Sequence, residues 1–212
     1  MQLDLKEIDL KTCWIKPGKE SFIYKEVIDS TLDIALSIDN QKNSIGKIVI
    51  CDNQLSGKGS YNKSWYSEPY KDLTFSIILG SSNNFQQNLI DETCETIITV
   101  LQKSKIIAYQ KKPNDIYVNN KKIAGILLSN IQNKANHPYQ ALSIGININS
   151  NFDLKKIDKN AKVDSTSFLK ELQIITKREE VLVEMLESID KVIQKLSLIH
   201  ISEPTRPRLI SY

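Results

Sequence analysis

No apolar run in this chain is long enough to cross a membrane: the longest, such as residues 123–128, fall far short of the roughly 18 residues required. The amino terminus, MQLDLKEIDLK, is charged throughout and lacks the apolar centre of a signal peptide. Cysteine is limited to Cys13, Cys51 and Cys94, odd in number and widely spaced, which fits neither a disulfide framework nor a zinc site. An excess of one charge is also missing. The 28 basic and 25 acidic residues leave a net charge of +3, no footprint for a polyanion. No linker, repeat or low-complexity tract divides residues 1–195. With 41% of its 212 residues hydrophobic, the chain has enough apolar side chain for a core, so wholesale disorder is excluded. One cytoplasmic globular domain without a membrane segment is expected.

Arginine is equally scarce. Only Arg178, Arg206 and Arg208 break a habit of lysine, and two of the three lie in the last seven positions beside Pro204 and Pro207. Residues 196–206 (LSLIHISEPTR) read as the translation of a transposon-type sequencing adapter, the alternative being a divergent natural tail. Residues 196–212 are therefore expected to be a non-native read-through tail, with the natural chain continuing beyond Lys195.

Hydrophobic periodicity predicts strands at Phe22–Val27, Gly46–Cys51, Leu73–Leu79, Ile106–Tyr109, Ile116–Val118, Ile123–Ser129 and Ala141–Ile148. It predicts helices from a cap at Ser30 or Thr31 to about Asp39, over Asn84–Lys103 and over Glu179–Lys195. Asn119-Asn120 suits a tight hairpin turn, because asparagine tolerates positive φ. His137-Pro138 lies in the next connection. Strands joined by short turns as well as by helices indicate an α+β fold, with a mixed, mainly antiparallel sheet packed with helices.

Three segments offer chemistry. The polar loop 53–64 (NQLSGKGSYNKS) places Lys58 between Gly57 and Gly59, with Lys63 behind, so backbone N–H groups and a charge can approach an anion. It is not a P-loop, and an ordinary surface loop would read the same. The second is Lys111-Lys112-Pro113-Asn114-Asp115, entering a hairpin whose return strand starts at Lys121-Lys122 and contains Gly125. Lys111 and Lys122 could converge there on a phosphate or carboxylate, or belong to a solvated face. The third, Gly145-Ile146-Asn147, ends an apolar strand with a close backbone approach and a polar side chain of structural or ligand-binding use.

Together and in this order, these segments resemble the catalytic domain of biotin protein ligases, a class II synthetase-like fold of the biotin/lipoate ligase superfamily. Asp29-Ser30-Thr31 resembles that family's entry motif, and Gln54 through Trp65 its glycine-rich ligand loop. Lys111–Asp115 with Lys122-Ile123-Ala124-Gly125-Ile126-Leu127 resembles its most specific pair of motifs. Gly145-Ile146-Asn147 and residues 161–169 continue the likeness, which covers about residues 20–170. The resemblance implies ATP-dependent, Mg²⁺-assisted activation of biotin as biotinyl-5′-AMP, then transfer to a lysine of a biotin carboxyl carrier domain. By position it assigns biotin to Ser30, Thr31, Gln54, Gly57, Lys58, Lys122 and Gly125. It assigns ATP to Lys58, Gly59, Trp65, Lys111, Asn114 and Asn147, with Trp65 covering the adenine. Lys122, Lys111 and Asp115 are the catalytic set, and Asp115 serves the metal. A monomer or homodimer without DNA binding is expected, since about 20 residues precede the first strand, too few for a helix-turn-helix.

The departures are Lys58 for a usual arginine, Ser60 where an arginine often secures the adenylate, Lys112 for a usual tryptophan, and Ser129 for a frequent glutamate. Lysine keeps the charge but lacks arginine's bidentate fork. Two alternatives stay open: a lipoate or octanoate ligase of the same superfamily, and a catalytically degenerate domain that binds biotin without turnover.

Overall fold

The computed structural model describes residues 1–38, 44–79, 86–132, 138–153 and 164–201. Seven strands form one mixed sheet: β1 (Phe22–Ile28), β2 (Ile48–Gln54), β3 (Leu73–Leu79), β4 (Tyr109–Lys111), β5 (Asp115–Val118), β6 (Lys121–Gln132) and β7 (Pro138–Ile146), in the order β1-β2-β3-β7-β6-β5-β4. Only β1 and β2 run parallel, and α1 (Thr31–Ser37) lies in the connection that a parallel pair requires. The other pairs are antiparallel, as the short turns imply. The hairpin turn falls at Asn119 and Asn120, both at positive φ (47° and 61°).

Alternation along the strands builds two cores. Ile48, Ile50, Leu73, Phe75 and Ile77 face a large core shared with α2 (Gln86–Lys103) and α4 (Arg178–Ile201). Val49, Ile78 and Ala141 face the other way, against Leu32 and Ala35 of α1. Helix α2 presents Leu89, Cys94, Ile97, Ile98 and Leu101 at helical spacing, and α4 presents Val181, Leu182, Met185, Leu186 and Ile189.

Several boundaries differ from the sequence reading. Helix α2 ends in a Schellman turn: Lys105 takes φ 63°, and the Ile106 N–H donates to the Leu101 carbonyl at 2.9 Å. Ile106 is thereby buried outside any strand, Ile107 is exposed, and β4 begins only at Tyr109. Strand β2 starts at Ile48, two residues later than expected, and continues past Cys51 to Gln54, because Asn53 and Gln54 still pair with Val27 and Ile28 of β1. Ser30 is the N-cap of α1 by backbone conformation, but its hydroxyl makes no capping bond. Asp39, Asn84 and His137 lie outside the described residues. Helix α4 continues through the 196 boundary to Ile201, with Leu196 buried.

Two features carried no periodic signal. Helix α3 (Phe168–Leu172) is capped by Ser167, whose hydroxyl accepts from the Lys170 N–H at 3.2 Å. Residues 1–18 form an extended strap whose Leu3, Ile8, Leu10 and Ile15 are buried. Asp190 of α4 holds it through the N–H groups of Cys13, Trp14 and Ile15 at 2.9, 2.8 and 2.6 Å. At its start, the buried pair Arg178–Asp52 (2.7 Å) gathers Tyr24 Oη, the Leu3 N–H and the carbonyls of Met1 and Asp72.

Candidate active site

Because β2 ends at Gln54 and α1 begins beside Ser30 and Thr31, the polar ends of both elements open into one cavity of about 610 Å³. Its wall holds Ser30, Thr31, Gln54, Lys58, Gly59, Trp65, Lys111, Asn114, Asp115, Lys122 and Gly125, eleven of the thirteen site residues that the sequence nominated.

At the amide end, Gln54 Oε1 accepts from the Thr31 N–H at 2.8 Å and the Thr31 hydroxyl at 3.1 Å. Ser30 is buried and its Oγ has no partner, although a buried hydroxyl ordinarily has one. A polar ligand would complete it.

At the cationic end, Lys122 Nζ lies 2.6 Å from Asp115 Oδ1 and 5.2 Å from the centre of the Trp65 ring. Lys111 Nζ lies 4.7 Å from the centre of the Tyr117 ring, and Lys112 pairs with Asp91 at 2.8 Å. Lys58 pairs with Asp33 of α1. Five lysines (58, 63, 111, 112 and 122) and a single carboxylate, Asp115, are on the described wall, a balance that favours an anion. Among the described residues no three His, Cys, Asp or Glu side chains cluster as a metal site.

The loop between β2 and β3 closes on itself. Gly59 N–H donates to the Lys63 carbonyl at 2.7 Å, Trp65 N–H to the Gly57 carbonyl at 2.8 Å, and Lys58 and Ser64 form an isolated bridge. Asn114 Nδ2 donates to Ser60 Oγ at 2.8 Å, joining the loop to the β4–β5 turn. The Trp65 indole lies on Gly125 and Gly145, where a methyl group on Gly145 would overlap it. Gly57 is off the cavity wall. Its missing side chain lets the loop pass the Trp65 carbonyl and the Gln54 amide.

Asn147 is also off the wall and 3% exposed. Its Nδ2 donates to the Thr166 carbonyl at 2.9 Å, while its Oδ1 is unpartnered. Sequence reasoning missed Ser76 and Ser143, which face one another across β3 and β7, with Ser143 on the cavity wall. The signal was present: each is a hydroxyl within an otherwise apolar strand, LTFSIIL and ALSIG.

Two thiols belong to the interior. Burial pushes Cys51 up to about 11 and Cys94 up to about 12, which leaves both as protonated, unreactive groups.

The sequence profile of the Biotin/lipoate A/B protein ligase family matches residues 24–149. The bifunctional ligase/repressor BirA of Bacillus spizizenii is 30% identical over 138 residues, covering 63% of this chain and 42% of the relative. The chain thus spans less than half the length of that curated relative. The biotin protein ligase from Aquifex aeolicus in complex with biotin and ATP superposes with a TM-score of 0.68 at 24% identity, covering 82% of this chain and 71% of that one. The Leishmania major biotin protein ligase in complex with biotinyl-5-AMP gives 0.63 at 16% identity, covering 90% and 86%. A sheet of this topology and a family profile that spans every segment lining the cavity agree: the chain belongs to the biotin/lipoate A/B protein ligase family.

Proposed function

We propose that this protein activates biotin with ATP as biotinyl-5′-AMP and transfers the biotinyl group to a lysine of a biotin carboxyl carrier domain in the cytoplasm. One observation carries the reading: a single cavity joins the Thr31–Gln54 amide end to the Lys111, Asp115 and Lys122 end. The first suits a polar ring head, the second a carboxylate meeting a triphosphate.

In the first step a biotin carboxylate oxygen attacks the α-phosphorus. A P–O bond forms, and the bond to pyrophosphate breaks. Lys122 holds the carboxylate and the phosphate, and Lys111 and Lys58 offset the remaining phosphate charge. Trp65 and the closed loop keep water from the mixed anhydride. In the second step the carrier lysine amine attacks the acyl carbon, and AMP leaves. Ser30, Thr31, Gln54 and Gly125 hold the biotin head and tail, while Gly59 and Asn114 serve the nucleotide; Gly57 and Asn147, off the wall, act through the loop and the strand end that they shape. Asp115, as one carboxylate rather than a cluster, fits a Mg²⁺ ion carried in on phosphate oxygens. When bound, that ion supplies charge neutralisation at the phosphates.

Biotin-dependent formation of AMP adduct by the full chain tests this, with lipoate and octanoate run in parallel. A biotin-only signal is expected, and Lys122→Ala is expected to lower its rate about a hundredfold, the cost of one lost contact to developing phosphate charge. A signal with lipoate or octanoate instead would assign the chain to the other branch. Biotin binding without adduct would make it a binding domain.

A further inference from the structure

A directed chain of hydrogen bonds runs from the interior of the sheet to Gln54, through two serines outside the nominated site. The Thr31 backbone N–H can only donate, so the atom 2.8 Å from it is the Gln54 amide oxygen. The Thr31 hydroxyl, 3.1 Å from the same oxygen, spends its proton there. Ser76 Oγ, 3.0 Å from Thr31 Oγ1, must then donate to it. Ser143 Oγ, 2.7 Å from Ser76 Oγ and directly opposite on β7, must donate in turn to Ser76. Every proton in the chain has one destination.

The direction has two consequences. The Gln54 oxygen accepts two bonds, so Nε2, beside Gly57, is the end of the amide left for a ligand. Ser143 has given away its proton and turns only lone pairs to the cavity it lines. We propose that Ser143 is a specificity-determining residue of this pocket, an obligate acceptor for a ring N–H of the ligand's polar head, and that Ser76 is the positioning residue that keeps it so. The proposal rests on the reading of the cavity as a biotin site. A cyclic urea brings N–H donors for Ser143 and a carbonyl for the Gln54 amide. An aliphatic acyl chain brings neither and would bury both without partners, the stronger form of discrimination.

Calorimetric titration of the full chain with biotin and with octanoate tests it, in wild type, Ser143→Ala, Ser143→Thr and Ser76→Ala. Ser143→Ala is expected to weaken biotin about tenfold, as one lost hydrogen bond does, and to leave octanoate unchanged or tighter. Ser143→Thr, which keeps the hydroxyl, should restore most of the loss. Ser76→Ala should lower the biotin-to-octanoate ratio, whereas a purely structural role would weaken both ligands alike and lower the melting temperature. Unchanged biotin affinity in Ser143→Ala, or equal loss of both ligands, would overturn the proposal. Octanoate binding more tightly than biotin in wild type would overturn the biotin reading itself, a result visible before any substitution is made.

Discussion

Trp65 owes its position to two residues that have no side chain. Gly125 and Gly145 sit on neighbouring strands in register with one another, and the indole occupies the space their side chains would fill. Its ring also faces Lys122, so the glycine floor, the indole and the ammonium form one unit at the cationic end. Gly145→Ala must push the indole away, since a large ring held on both sides cannot yield by a rotamer flip. With only Trp14 and Trp65 in the chain, the displacement is readable by fluorescence. A red shift with easier quenching, together with lower adenylation, is expected. An unchanged emission spectrum would show that the indole does not rest on Gly145 in solution.

Among the elements, the amino-terminal strap shows how a segment without periodicity is held. Its apolar residues enter the core singly, and the backbone donors of Asp4, Lys11, Cys13, Trp14 and Ile15 are met by α4 side chains rather than by a strand partner. Asp190 is 2% exposed and accepts three of those donors, so Asp190→Ala leaves three N–H groups searching for water. The expected loss is on the order of 3 kcal/mol, read as a lower melting temperature, with hydrogen exchange accelerating first at residues 13–15. Exchange that speeds up uniformly would mean that the strap unfolds only with the whole domain. At this scale the helices and most strands were legible, because α2 and α4 repeat their apolar residues at helical spacing while β3 and β6 carry short, mostly apolar runs. The start of β4 was not. Ile106-Ile107-Ala108 looks like a strand locally, and only the Schellman turn after α2 decides that Ile106 goes inward and Ile107 outward.

Across the whole molecule, Asp72 ties the loop before β3 to the segment after β7 and to the start of α4. Its carboxylate accepts the N–H groups of Glu68, Ile148 and Ser150 at 2.8, 2.9 and 3.3 Å, and its carbonyl accepts from Arg178. Burial outweighs these bonds and pushes its pKa from 3.8 up to about 6. The folded state therefore binds the proton more tightly than the unfolded state. Stability from this group is fully present below 3.8, declines as pH rises towards about 6, and is flat above. The melting temperature of wild type minus that of Asp72→Asn should accordingly fall with rising pH across that window. A rise instead would mean that the three N–H donors hold the carboxylate below its ordinary value.

The sequence by itself determined the order of most elements, the α+β class and eleven of the residues on the cavity wall. Those properties follow from local periodicity and from short motifs that keep their own residues adjacent. Only the tertiary structure decided which direction each polar group faces. That Gln54 belongs to a strand end, that its amide oxygen meets Thr31, and that Ser143 must act as an acceptor all depend on partners distant in the chain, 23 residues for the Thr31–Gln54 bond and 67 for the Ser76–Ser143 bond. A hydrogen bond is set by where two segments meet, and neither segment carries that information alone.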